Sequence, residues 1–225
     1  MLWVGQFGVV EGQPREDSPW VGVFPEPGRA EPEEARDLYV LVEPAAPTSE
    51  DACRQLAAAI GESFRRERLS LSGGVLRALN AAHEDLREWN RRSLKQHRAA
   101  AGVSCLALRP SGAGAAGYLA QVSPAAAALL RAGVLTRLAP RLPDAAEPLG
   151  RHEEFRPDFS RQELAEGDRL ILLSSGLSAR LADDDLAEAL SLPPDEVLPS
   201  IYRQARDLAV AAALLVAVED ETGEP

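Results

Sequence analysis

Cysteine, lysine and histidine are scarce: two, one and three residues among 225. Two cysteines, Cys53 and Cys105, cannot build a disulfide framework and show no zinc spacing, so a reducing, cytoplasmic setting is expected. His83, His97 and His152 lack an i,i+4 partner or a nearby cysteine, and each is expected to be a helix-surface or loop histidine rather than a ligand. The longest apolar run, Leu208 to Val218, has eleven residues; a membrane-spanning helix needs about 20. Met1 to Gln6 carries no basic stretch, so no signal peptide is expected. Positive charge is also short, 24 Lys and Arg against 35 Asp and Glu. The resulting charge of −11 disfavours nucleic acid or an anionic membrane as partner. Lys95, the lone lysine, carries no functional assignment.

Apolar residues make up 45% of the chain. At this length roughly 72% of the unfolded surface can be buried, so no metal or disulfide is needed for folding. One domain over residues 1–225, with a core from about 4 to 218, is expected. Val4 to Val10 and Pro19 to Phe24 read as strands, with Gly12-Gln13-Pro14 as punctuation between them. Glu31 to Asp37 reads as a solvated loop, and Leu38 to Val42 as a buried strand halted by Pro44. Thr48-Ser49-Glu50-Asp51 has capping-box spacing before a helix that buries Cys53, Leu56, Ile60 and Phe64. A second helix places Val75, Leu79, Ala82, Leu86 and Trp89 on one stripe, with Arg87, Glu88, Arg91 and Arg92 outside. Further strands follow at Val103 to Leu108, Tyr118 to Val122, Leu170 to Leu173 and Val210 to Val218. Gly176 stops the third of these, and Asp183 to Leu190 and Asp195 to Leu208 read as helices. Pro140 to Pro157 reads as a loop. Ser123 to Leu138 fits either a proline-initiated helix or a hairpin turning at Ala132-Gly133.

Local motifs weigh against several chemistries. Gly112-Ala113-Gly114-Ala115-Ala116-Gly117 spells G-x-G-x-x-G, but Pro110 separates it from the preceding strand and Pro124 interrupts any helix after it. A hairpin loop is expected there, with nucleotide binding through Gly112 to Gly117 the weaker alternative. Ser174-Ser175-Gly176 lacks the G-x-S-x-G elbow. Asp183-Asp184-Asp185 fits a helix start better than a metal site. Cys53 and Cys105 read as buried, inert thiols.

The order of segments, together with Pro157-Asp158, Gly167-Asp168-Arg169, the run Leu170 to Leu173 and Ser174-Ser175-Gly176-Leu177, resembles the PPM-type (protein phosphatase 2C-like) serine/threonine phosphatases over roughly Val4 to Val218. Arg77 to His83 is similar to that family's second-helix signature, and Ala101 to Leu106 to its Gly-x-Thr-Thr strand. The resemblance implies an α+β fold, a four-layer αββα sandwich of two antiparallel sheets flanked by helices, and with it strand for Ser123 to Leu130. It also implies hydrolysis of phosphoserine or phosphothreonine by water held between two Mg²⁺ or Mn²⁺ ions, which needs hard oxygen ligands. At the positions that match the family's motifs this chain carries other residues. Asp-Gly-x-Gly-Gly becomes Glu43-Pro44-Ala45-Ala46, the Asp of Ser-Asp-Gly-Leu becomes Ser175, and the last Asp falls on Val210. Gly-Asp-Ser-Arg becomes Ser123-Pro124-Ala125-Ala126, and the family's phosphate-binding arginine, a few residues before Glu16-Asp17, falls on Glu11 or Gly12. The expectation is therefore a pseudophosphatase with no cofactor and no intact catalytic residue. It would bind a protein partner, a kinase or phosphoprotein. The alternative is a divergent metal-dependent phosphatase using Glu16, Glu43 and Asp207 with Mg²⁺ or Mn²⁺.

Overall fold

A computed structural model of the chain describes residues 1–26, 35–46, 49–66, 69–141 and 147–219. Eleven strands form two antiparallel sheets. The six-stranded sheet runs β2(Gln13–Arg15), β1(Leu2–Val10), β11(Val210–Val218), β10(Arg169–Leu173), β7(Ala126–Arg131), β8(Val134–Leu138). The five-stranded sheet runs β3(Val21–Phe24), β4(Asp37–Pro44), β5(Ala101–Ser111), β6(Gly114–Val122), β9(Asp158–Leu164). Helices α1(Glu50–Arg66) and α2(Leu71–Arg92) cover the second sheet, on β3–β4 and β5–β6 respectively. Helices α3(Ser175–Arg180), α4(Asp183–Leu190) and α5(Pro194–Ala205) cover the first. This is the four-layer αββα arrangement.

Alternation along the central strands explains why they are apolar throughout. Leu170, Leu172, Ala212, Leu214 and Val216 face the other sheet, while Ile171, Leu173, Ala211, Ala213 and Leu215 face the helices. A strand buried on both faces shows no polar alternation. The amphipathic helices supply the outer layers. Cys53, Leu56, Ile60 and Phe64 of α1 are all buried, and Glu88 pairs with Arg92 on the solvent side of α2 at 2.6 Å. Asp168, nearly buried, accepts a bond from Arg131 Nη2 at 2.6 Å and the amide of Ala165 at 2.9 Å, which ties β7 to the turn entering β10. Among the described residues no helix is long and apolar enough to cross a membrane.

Several expectations need correction. Trp89 is 60% exposed, and Asn90 is buried in its place. Both flank the α2 stripe, but the residues around Leu149 and Phe155 fold against the flank that carries His83 and Asn90. His83 stacks on Phe155 at 4.5 Å and its Nδ1 accepts the Gly150 amide, so it is a buried histidine and not a surface one. Gln13-Pro14 is a short edge strand, β2, because Glu11 and Gly12 turn the chain back onto β1; Pro14 is tolerated at an edge. Strand β9 carries few β-branched residues and gave no local signal. Gly176 lies inside α3 rather than ending β10.

The glycine motif is a hairpin. Ser111 pairs with Gly114, Gly112 takes the left-handed φ of +59° in the two-residue turn, and a Cβ on Gly117 would sit 1.8 Å from the Ala107 carbonyl oxygen. No helix N-terminus follows it, so the nucleotide alternative is dropped. Ser123 to Leu130 holds a strand, β7, paired with β10 and β8. Thr48, residues 31–34 of the acidic stretch and residues 142–146 of the expected loop lie outside the described residues.

The α2 correction is directly measurable. Trp89→Ala should change stability by no more than about 0.5 kcal/mol, as exposed positions do. Leu86→Ala, which empties a buried site, should cost about 2–5 kcal/mol. Equilibrium urea unfolding of the two variants checks the contrast; equal losses would mean that the stripe runs through Trp89.

Candidate active site

Where β4 and β10 end, the two sheets open into a cleft of 420 Å³. Each wall comes from a strand terminus. Glu43 and Pro44 close β4, Ser174 and Ser175 follow β10, and Val210 opens β11. Pairing brings the last two walls together. The Ser174 amide donates to the Ala212 carbonyl at 2.9 Å, and the Ala212 amide donates to Ser174 Oγ at 3.1 Å. Trp20, fully buried, and Glu50 at the start of α1 complete the lining.

The central contact crosses between the sheets. Glu43 Oε2 accepts the Ser175 amide at 2.8 Å, and Glu43 Oε1 accepts a short hydrogen bond from the Ser175 hydroxyl. The carboxylate thus meets the first turn of α3, where unpaired amides favour negative charge. Burial nevertheless wins. Desolvation raises the Glu43 pKa above its ordinary value, and the two hydrogen bonds from Ser175 only partly offset this. Burial, with the nearby Glu43 charge, also pushes the Cys53 thiol up to about 12, so it stays protonated at neutral pH. The Cys105 thiol, fully buried, is pushed up as well.

Of the residues singled out in the sequence, Glu43, Pro44, Ser175 and Val210 line this one cleft. Pro124 does not; its carbonyl lies against Gly102, the residue paired with Glu43 across β4 and β5. Asp207 is 87% exposed and lies 3.9 Å from Arg180. Glu16, exposed beyond β2, is likewise not part of the lining. The three carboxylates Glu16, Glu43 and Asp207 are therefore not gathered. Glu50, which does line the cleft, falls within the capping-box stretch Thr48 to Asp51 and carries no site signal in the sequence. Among the described residues no three His, Cys, Asp or Glu side chains stand together as a metal-holding group. None of the three histidines lines the cleft as a base for Ser174 or Ser175.

The fold, compared with solved structures, is that of the PPM-type serine/threonine phosphatases. The serine/threonine phosphatase of S. agalactiae superposes with a TM-score of 0.76 at 16% identity, over 97% of this chain and 100% of that one. PstP/Ppp of Mycobacterium tuberculosis gives 0.66 at 18%, over 97% and 99%. The catalytic domain of PstP in complex with two manganese ions gives 0.66 at 21%, over 98% and 100%. No family model and no curated protein matches the sequence.

The raised Glu43 pKa carries a definite pH dependence. The folded state binds this proton more tightly than the unfolded chain, whose value is near 4.5. The associated stability is full below that value and is lost as pH rises through the raised one. The stability of wild type minus that of Glu43→Gln should therefore fall as pH rises from about 5 to 8. Urea unfolding at several pH values measures it; a difference that grows with pH would show that Ser175 outweighs burial.

Proposed function

We propose that this chain is a pseudophosphatase, a PPM-fold domain that holds no metal pair, hydrolyses no phosphoester and acts by binding a protein partner such as a kinase or phosphoprotein. One observation carries the reading: both oxygens of Glu43 are engaged by Ser175, which the motif resemblance sets at the position of a metal-binding aspartate. A pair of Mg²⁺ or Mn²⁺ ions needs about six oxygen ligands each, several of them anionic. The cleft offers two carboxylates, Glu43 and Glu50, and one of these is already committed to the protein. Val210, Pro44, Ala45 and Ala46 contribute only carbon side chains to the same walls. Such a donor set does not fit two divalent cations, and it leaves no group to ionise a water near neutral pH. The apolar walls suit a protein segment better than a free phosphate ion.

Two measurements test the proposal. Purified protein with Mg²⁺ or Mn²⁺ should hydrolyse neither phosphopeptides nor aryl phosphates above background; metal-dependent turnover that vanishes in Glu43→Gln would overturn the reading. The melting temperature should also be the same in EDTA and in millimolar Mn²⁺. A metal at a hundredfold excess over its Kd would add about 2.7 kcal/mol, which at this chain length is a rise of roughly 5–10 °C.

A further inference from the structure

Ala45 and Ala46, which wall the Glu43 cleft, also wall a second cavity of 470 Å³. Its lining is of opposite character. Arg87 and Arg91 come from α2, Lys95 and Arg98 from the segment joining α2 to β5, and Arg151 from the loop before β9, with no carboxylate among the lining residues. In a chain of charge −11 this concentration of five cations is the exception. Some of that charge is already balanced at the rim: Arg87 pairs with Glu84 at 3.1 Å and Glu153 at 3.9 Å, and Arg91 with Glu88 at 2.7 Å. The Lys95 ammonium and the Arg151 guanidinium make no ion pair among the described residues.

The cavity floor is pinned. Buried Asn90 donates from Nδ2 to the carbonyls of Ala99 at 2.7 Å and Gly150 at 2.9 Å, and its Oδ1 accepts the Ala99 amide at 2.7 Å. The Ala45 amide donates to the Ala100 carbonyl at 2.8 Å, and the Ala100 amide to Ser49 Oγ at 2.9 Å. The floor is thus preformed, and binding need not order it.

We propose that this cavity is an oxyanion-binding subsite for a segment of a protein partner, taking a phosphoryl group or clustered carboxylates, while the adjoining cleft accepts the segment's apolar flank. The proposal rests on the protein-binding reading above and adds the chemistry of the partner. A ligand of this kind fits the balance of forces. At physiological salt the screening length is about 8 Å, so a single oxyanion in the cavity feels Lys95 and Arg151, with the partly balanced arginines beside them, more than the distant net charge. Guanidinium groups match phosphoryl and carboxylate oxygens in forked pairs. The anion is directed to this side, because Glu43 and Glu50 repel it from the cleft. A nucleic acid would extend over the acidic remainder of the surface, and the cavity lining has no aromatic ring on which a base could stack.

Fluorescence anisotropy on the full chain tests this with three labelled peptides that share an alanine- and leucine-rich frame. Their central residues are phosphoserine, a triple aspartate or plain serine. One of the two anionic peptides should bind at least about tenfold tighter than the serine peptide, and the tighter one identifies phosphoryl or carboxylate as the source. Lys95→Glu with Arg151→Glu should weaken that peptide at least about tenfold, and the milder Lys95→Gln with Arg151→Gln should weaken it in the same direction. Arg203→Gln, on the exposed face of α5, should leave it unchanged. The subsite is overturned if no peptide binds by millimolar concentration, if the anionic peptides bind no better than serine, if both double variants bind like wild type, or if a single-stranded RNA binds tighter than any peptide. Turnover of the phosphoserine peptide is followed in parallel. Hydrolysis would sink the inactive-domain reading and leave the subsite standing, whereas charge-independent binding without hydrolysis would sink the subsite alone.

Discussion

The structure depends on burying both faces of β10 and β11 at once. Leu214 and Val216 lie between the sheets while Ala213 and Leu215 lie under the helices, so neither strand can carry a polar side chain along its length. Polar groups are confined to the strand ends, where the sheets diverge. At one end Arg131 and Asp168 close the turn into β10. At the other, Ser174 and Ser175 emerge beside the start of β11 and face Glu43 at the end of β4. The cleft lies where the doubly buried pair runs out.

Glu43 then acts as a strut. Its carboxylate belongs to one sheet and its hydrogen-bond donors to the other, 132 residues away in sequence. A half-buried carboxylate held by two hydrogen bonds is costlier to leave unpaired than an exposed one. That is why Ser175 and Glu43 are best understood together: the serine supplies the donors and the glutamate the length to reach them. An aspartate at either position would bring a second charge or a shorter reach, and a different local chemistry.

Two cavities of opposite sign share the wall formed by Ala45 and Ala46. The acidic one is narrow in its polar groups and largely apolar. The basic one is built around an amide, Asn90, whose bonds to Ala99 and Gly150 hold the α2–β5 connection against the loop before β9. The same contacts bring Arg151 and Lys95 to one cavity and bury His83 under Phe155. A single packed corner therefore sets both the floor of the basic cavity and the face of α2 that turns inward.

Neighbouring residues by themselves determined the elements whose burial is periodic or complete: α1 from Cys53, Leu56, Ile60 and Phe64, β4 from Leu38 to Val42, and β11 from its uninterrupted apolar run. Such patterns are written in spacing and need no partner to be read. The order of segments suggested the fold, and with it Glu43, Ser175 and Val210, which the structure brings to one cleft. Tertiary structure alone decided the rest. It placed Asn90 rather than Trp89 inward because a loop some 60 residues on offers the Gly150 carbonyl to one flank of α2. It made strands of Gln13–Arg15 and Asp158–Leu164, whose polar sequences pair only because β1 and β6 present open edges. It also joined Ser175 to Glu43, and set Arg151 and Lys95 on one cavity, across stretches of chain that no local pattern spans. Contacts of this range form only when whole sheets stack, and the free energy that selects them comes from the layers as a unit.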